Sequence, residues 1–188
     1  MKIALIPVSG KPWHAGHDSL VKIAANECSE VRLFVSTSDR KRPGEIPIYG
    51  EDMKKIWDEY LEPSLPGNVS VTYGGSPVGN LYKELEGANL LKSSDTFVIY
   101  SDNEDILKYK DSTLYKSAPF LFQNGQIELR GVSRLETIPV SGTDMRTYIE
   151  SGNIKKFIEL LPISVQKNGR EIYDILKKRL NPKNTFSI

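Results

Sequence analysis

Apolar residues in this chain fall in short blocks separated by polar turns, and the spacing inside the blocks alternates between two patterns. Ile3 to Val8 is a brief apolar run closed by Ser9-Gly10-Lys11-Pro12, which reads as a buried strand entering a turn. From Gly16 the pattern changes, and Leu20, Val21, Ile23, Ala24 and Ala25 predict a helix packed on a sheet and ending near Cys28. Val31 to Val35 is the next strand. A polar loop, Thr37 to Tyr49, leads into a helix over about 50–61, with Met53, Ile56, Trp57, Tyr60 and Leu61 at helical spacing. Val69, Val71 and Tyr73 alternate as a third strand, and the Gly-rich segment Gly74 to Gly79 follows. Leu81, Leu85, Ala88 and Leu91 predict a helix, Thr96 to Tyr100 a fourth strand, and Ile127 to Val132 a fifth. After Thr143 the apolar residues keep helical spacing through Leu160. A last amphipathic helix carries Ile172, Ile175, Leu176 and Leu180.

Strands and helices that alternate at these spacings suit right-handed crossovers. The expected fold is α/β: an open parallel sheet of about five strands, doubly wound and Rossmann-like, with a C-terminal helical extension. The expected organisation is one domain over 1–188, with a core over about 1–150 and helices over about 151–180. No internal repeat or low-complexity tract interrupts it.

Composition narrows the function. The 25 basic and 24 acidic residues nearly cancel, so the chain has no electrostatic footprint for duplex nucleic acid. The single cysteine, Cys28, rules out an intramolecular disulfide and fits a reducing compartment. No run approaches the roughly 20 apolar residues of a membrane helix, and the N-terminal apolar stretch is too short for a signal peptide. The expectation is a cytoplasmic protein with no membrane partner. The sequence leaves the oligomeric state, a homo-oligomer included, open.

Candidate chemistry concentrates at Pro12-Trp13-His14-Ala15-Gly16-His17, where the first strand gives way to the first helix. In an open parallel sheet, ligands bind at such junctions. A helix starting near Gly16 would aim unpaired N–H groups and the positive end of its dipole at the same spot. Gly16 lets a phosphate approach the backbone, and two imidazoles three residues apart can donate to phosphate oxygens. The competing reading, a metal pair, lacks ligands: these are the only two histidines, and a zinc site wants three or four. His14-Ala15-Gly16-His17 resembles the H-x-G-H signature of the HIGH nucleotidyltransferase superfamily, in which the motif follows the first strand. Pro12 holds the family's proline position. The chain departs upstream, where Val8 and Gly10 stand in place of the usual Gly and aromatic.

A second segment, Val140-Ser141-Gly142-Thr143-Asp144-Met145-Arg146, reads as a helix start capped by Ser141 or Thr143, with Arg146 one turn in. Its planar, permanently charged fork suits phosphate. The bland alternative is an ordinary N-cap and a solvated arginine. The segment resembles the superfamily's I-S-x-T-x-x-R signature, whose helix binds the β- and γ-phosphates, with Val140 in place of Ile. The resemblance thus assigns His14, His17 and Arg146 to catalysis, and Gly16, Ser141 and Thr143 to the nucleotide. Asp102 stands where related enzymes carry a G-x-D-like nucleotide contact, although Tyr100 replaces the Gly. Lys11, Trp13, Lys41 and Arg42 are the candidate acceptor contacts; for Trp13 the alternative is an anchor for its loop.

The resemblance implies attack by an acceptor phosphate on the α-phosphorus of a nucleoside triphosphate, releasing pyrophosphate, with Mg²⁺ bridging triphosphate oxygens and no dedicated protein metal site. The lack of an R-T-x-G-I-S-T-[ST] pattern favours ATP over CTP. Nicotinamide mononucleotide is the first acceptor expected, from Trp13 and the likeness of Ser141 to Pro162 to adenylyltransferases. Phosphopantetheine and a cytidylyl transfer are the alternatives. A non-catalytic nucleotide-sensing module is the reading outside enzymes.

Overall fold

Short β-branched blocks become central strands when both faces of a sheet are covered, because a strand buried on both sides has no polar face to alternate with. The computed structural model of the protein describes residues 1–180. Its five strands are β1 (Lys2–Val8), β2 (Glu30–Val35), β3 (Val69–Tyr73), β4 (Thr96–Asp102) and β5 (Ile127–Val132). They form one sheet in the order β3-β2-β1-β4-β5, and every neighbouring pair is parallel. Central β1 sets Leu5 opposite Arg32 on one side and Ile99 on the other. The open parallel α/β sheet read from the sequence is the one observed.

The chain divides into two compact units that interleave along the sequence. The first comprises residues 1–9, 19–36 and 66–138; the second comprises 10–18, 37–65 and the chain from 139 onward. The helix α1 (Ala15–Glu27) starts in the second and continues into the first.

The first unit holds the sheet. On one face Ile3, Leu5, Phe34, Phe97 and Ile99 cluster with Leu81 and Leu85 of α3 (Pro77–Leu90). Leu114 and Leu121 join from two short helices, α4 (Asp111–Ser117) and α5 (Pro119–Gln123). The period of two turns Ala4, Ile6, Leu33 and Tyr100 to the other face, where they are also buried. There the Cys28 Sγ at the end of α1 lies 3.5 Å from the Tyr100 hydroxyl. Helices on both faces make the sheet doubly wound. The sequence pattern leaves α4 and α5 unassigned, because Pro119 breaks the run into pieces too short to display a period.

The second unit is helical. α2 (Gly50–Ile56) passes into a π-helical turn over Trp57–Leu61 and a 3₁₀ turn containing Pro63, where the sequence predicts one continuous helix. α6 (Gly142–Glu150) and α7 (Ile154–Glu159) replace the single helix expected through Leu160. Gly152, at φ +73°, turns the chain between them, and the Asn153 side chain caps α7. α8 (Gly169–Lys177) packs on them with Phe157 edge-on to Tyr173 at 5.5 Å. Among the described residues no helix is long and apolar enough to cross a membrane.

Candidate functional site

The segment after β1 is organised by aromatic packing. Trp13 is 2% exposed; it meets Trp57 in a T-shaped contact at 4.8 Å and 66°, and its face stacks on His17 at 4.7 Å and 22°. His17 in turn stacks on His14, with ring centroids 3.7 Å apart. A three-ring pile thus fixes both imidazoles. Trp13 is thus packed against both His17 and Trp57 and anchors the histidines, which favours the anchor over the acceptor contact.

Backbone donors then decide the tautomers. The N–H groups of Gly16 and His17 donate to His14 Nδ1 at 3.1 and 3.4 Å, and the His14 N–H donates to His17 Nδ1 at 3.2 Å. A ring nitrogen that accepts carries no proton, so each neutral imidazole must carry its proton on Nε2. Burial pushes His14 down to about 4, with Asp144 opposing and Arg146 adding to the fall. Burial also holds half-buried His17 well below the ordinary histidine value, with His14 reinforcing it. At neutral pH the pair therefore offers two uncharged Nε2–H donors.

The same bonds change the expectation for the start of α1. Ala15 N–H donates to the Leu160 carbonyl at 2.8 Å, Gly16 and His17 to His14 Nδ1, and Asp18 to the His14 carbonyl. The first-turn N–H groups, Gly16 included, already have acceptors, so an anion placed here would have to be met by side chains.

α6 differs. Ser141 is its N-cap and forms a reciprocal capping box with Asp144: the Asp144 N–H donates to Ser141 Oγ at 3.1 Å, and the Ser141 N–H to Asp144 Oδ2 at 3.0 Å. Among the described residues nothing accepts from the N–H groups of Gly142 and Thr143, the two left at this helix start. Thr143 does not cap; its hydroxyl receives Arg146 Nη2 at 3.1 Å.

Arg146 is not a solvated side chain. It is 6% exposed, and its Nη1 donates to the Lys11 carbonyl at 2.7 Å. That bond joins the two motifs. A Cβ on residue 142 would lie 2.8 Å from Nη1, so glycine is what lets the guanidinium sit across the helix start. Burial, then the nearby Arg40, lower the Arg146 pKa, while Glu45 raises it. Lys11 is itself 5% exposed, and burial brings its ammonium down to about 8 against the opposing charge of Asp39.

The loop before α2 contributes charges that the sequence reading passed over. The Arg40 and Ile48 backbones pair as an antiparallel bridge, and the Gly50 N–H donates to Asp39 at 2.8 Å. Inside this hairpin Glu45 pairs with Arg40 and approaches Arg146 Nε at 3.4 Å. Of the residues the sequence singled out, Lys41 is exposed, beside Asp39 and over the Tyr49 ring, and Arg42 is exposed. Arg40, Glu45, Asp144 and Glu150 were missed. The only signal for them was proximity to basic and capping motifs, and which loop residue turns inward depends on a hairpin that sequence spacing does not encode. Asp102 belongs to the first unit, where its carboxylate accepts from the N–H groups of Glu104 and Asp105 at 3.0 and 2.7 Å.

Two neutral imidazole donors, two open helix N–H groups, a buried guanidinium and a buried ammonium thus belong to one unit, an inventory suited to an anion with several oxygens. Among the described residues no group of three or more His, Cys, Asp or Glu is arranged to hold a metal ion.

No protein-family model matches the chain, and no curated protein matches it. Among solved structures, TmcAL from Thermotoga maritima, crystallised with alpha-thio ATP, is 14% identical with a TM-score of 0.49. That match covers 95% of this chain and 55% of the other, so the chain spans about half its length. Pantothenate synthetase from Thermus thermophilus is also 14% identical, with a TM-score of 0.36 and coverage of 95% and 75%. The reading of the site rests on its own side chains.

Proposed function

We propose that the protein is a nucleotidyltransferase that transfers AMP from ATP to a small phosphate-bearing acceptor and releases pyrophosphate. The observation that carries this reading is the join between the two motifs: His14 and His17 are locked as Nε2–H donors, and Arg146 is buried and bonded to the segment that bears them. In the reaction an acceptor phosphate oxygen attacks the α-phosphorus, and the bond to the bridging oxygen of the β-phosphate breaks. Both imidazoles, being neutral, stabilise the growing charge by hydrogen bonding and need no proton transfer. Arg146 and the N–H groups of Gly142 and Thr143 receive the departing pyrophosphate. Mg²⁺ enters with the triphosphate as part of the substrate; the donors here are chiefly neutral and cationic, which suits phosphate oxygens rather than a resident metal.

Nicotinamide mononucleotide is the first acceptor to try. Its support is now thinner, because Trp13 is an anchor and leaves only the likeness of the 141–162 segment. Lys11, Lys41 and Arg42 supply the positive charge for an acceptor phosphate.

Pyrophosphate release tests the reading. The protein is mixed with ATP or CTP and each of a panel of acceptors, nicotinamide mononucleotide and phosphopantetheine first. Release that needs both ATP and one acceptor is expected. Release only with CTP would replace adenylyl with cytidylyl transfer. Tight ATP binding with no release under any pairing would replace the enzyme with a nucleotide-sensing module.

A further inference from the structure

Arg146 carries a contradiction that the catalytic reading does not use. Its Nε is buried and, among the described residues, has no hydrogen-bond acceptor, although Glu45 Oε2 stands 3.4 Å away. The carboxylate neutralises the guanidinium without satisfying this donor. Leaving a buried donor unsatisfied is costly, so an oxygen with better geometry is favoured over Glu45. Glu45 meanwhile sits among cations. The hydrogen bond from Arg40 first, and the charges of Arg146 and Arg42 as well, hold its carboxyl below the usual range, so it is an anion at neutral pH. Its backbone neighbour is tied to the same helix: the Ile46 N–H donates to Glu150 at the end of α6.

We propose that Glu45 is an internal competitor for the polyphosphate, a carboxylate that occupies Arg146 in the absence of ligand and is displaced by it, so that the 40–48 hairpin is an anion-released latch. The proposal rests on the assignment of Arg146 to polyphosphate. A ligand with several anionic oxygens can satisfy Arg146 Nε and leave Arg40 to follow Glu45 outward. A single small anion gains too little from the exchange. Glu45 is thereby a specificity device, setting how much negative charge a ligand must bring before the hairpin yields.

The test uses the full chain and inorganic pyrophosphate, with calorimetry for affinity and limited trypsin digestion at the Lys41–Arg42 bond for the hairpin. Glu45→Gln keeps the shape and removes the competing charge, and should bind pyrophosphate about tenfold more tightly than wild type. Glu150→Ala, which unties Ile46 and leaves Glu45 intact, should shift affinity the same way by less. It also guards against a folding defect in the first variant. Pyrophosphate should accelerate cleavage of wild type, while Glu45→Gln should be cleaved fast with or without it. If Glu45 instead pre-orients Arg146 for phosphate, Glu45→Gln will bind more weakly, and the latch is overturned. Equal binding by wild type and Glu45→Gln, or cleavage indifferent to pyrophosphate, overturns the latch and leaves the phosphate assignment standing. Failure of all three proteins to bind pyrophosphate removes both.

Discussion

A neutral imidazole has one donor, and which nitrogen bears it is settled by what the other nitrogen accepts. At His14 and His17 the acceptors are the Nδ1 atoms, occupied by backbone N–H groups, so replacing either ring removes one Nε2–H. His17→Ala should lower turnover by about two to three orders of magnitude, the usual cost of one transition-state donor, in a steady-state assay of pyrophosphate release. A rate near wild type would remove the phosphate role. Arg146 tests the other end. Arg146→Lys keeps a charge but cannot reach the Lys11 carbonyl and Thr143 Oγ1 together, so turnover should fall. Arg146→Ala should be nearly dead and should weaken triphosphate binding more than monophosphate binding. Both variants matching wild type in rate and triphosphate affinity would return Arg146 to a structural role. The candidate side chains were easy to single out because they sit in two short motifs. Their partners were not: Glu45 is one carboxylate among 24 acidic residues, and only folding brings it to Arg146.

Among the elements, α6 shows most clearly what a cap leaves over. The capping box uses Ser141 and Asp144 on each other, and among the described residues the Gly142 and Thr143 N–H groups have no acceptor. Gly142 also leaves room for the guanidinium, since a Cβ there would press on Arg146 Nη1. Gly142→Ala should therefore displace Arg146 from the Lys11 carbonyl and weaken pyrophosphate binding by about tenfold, one lost charge-assisted hydrogen bond. The helix itself should keep or gain stability, because alanine is the better helix former by up to about 1 kcal/mol. Calorimetry and urea unfolding together separate the two effects; weaker binding that merely tracks a loss of fold would refute this account of the glycine. The strands were readable as short apolar blocks between turns, and α1 as a longer run at helical spacing. The π turn at Trp57–Leu61 and the break at Gly152 were hidden, because apolar spacing alone does not reveal a change of helix type or a sharp turn inside a longer run.

For the molecule as a whole, charge nearly cancels at neutral pH, and acid uncovers the 25 basic residues while it titrates individual buried groups. The parallel sheet was legible from the alternation of blocks, but the interleaving of two compact units was not, because each is assembled from three separated stretches of chain. His14 belongs to the second unit, and burial holds it at about 4 against an ordinary value of 6.5. Above pH 6.5 the ring is neutral in both folded and unfolded chains, and its contribution to stability is fully present. Between 6.5 and 4 the unfolded chain binds a proton that the folded one refuses, so stability falls as the pH drops through this window, with His17 acting in the same direction. The loss assigned to His14 is at most about 3 kcal/mol. Carboxylates such as Glu136, held at about 2 by the Arg130 hydrogen bond, add a steeper loss at lower pH, so the comparison must be made between proteins. His14→Asn keeps an acceptor for the Gly16 N–H and removes the titration. Urea unfolding of wild type and variant at pH 7, 5.5 and 4 should give curves that converge as the pH falls, because only the wild type loses this contribution. Parallel curves would mean that His14 titrates alike in the folded and unfolded chains, and the neutral, Nε2-protonated pair on which the site is built would have to be given up.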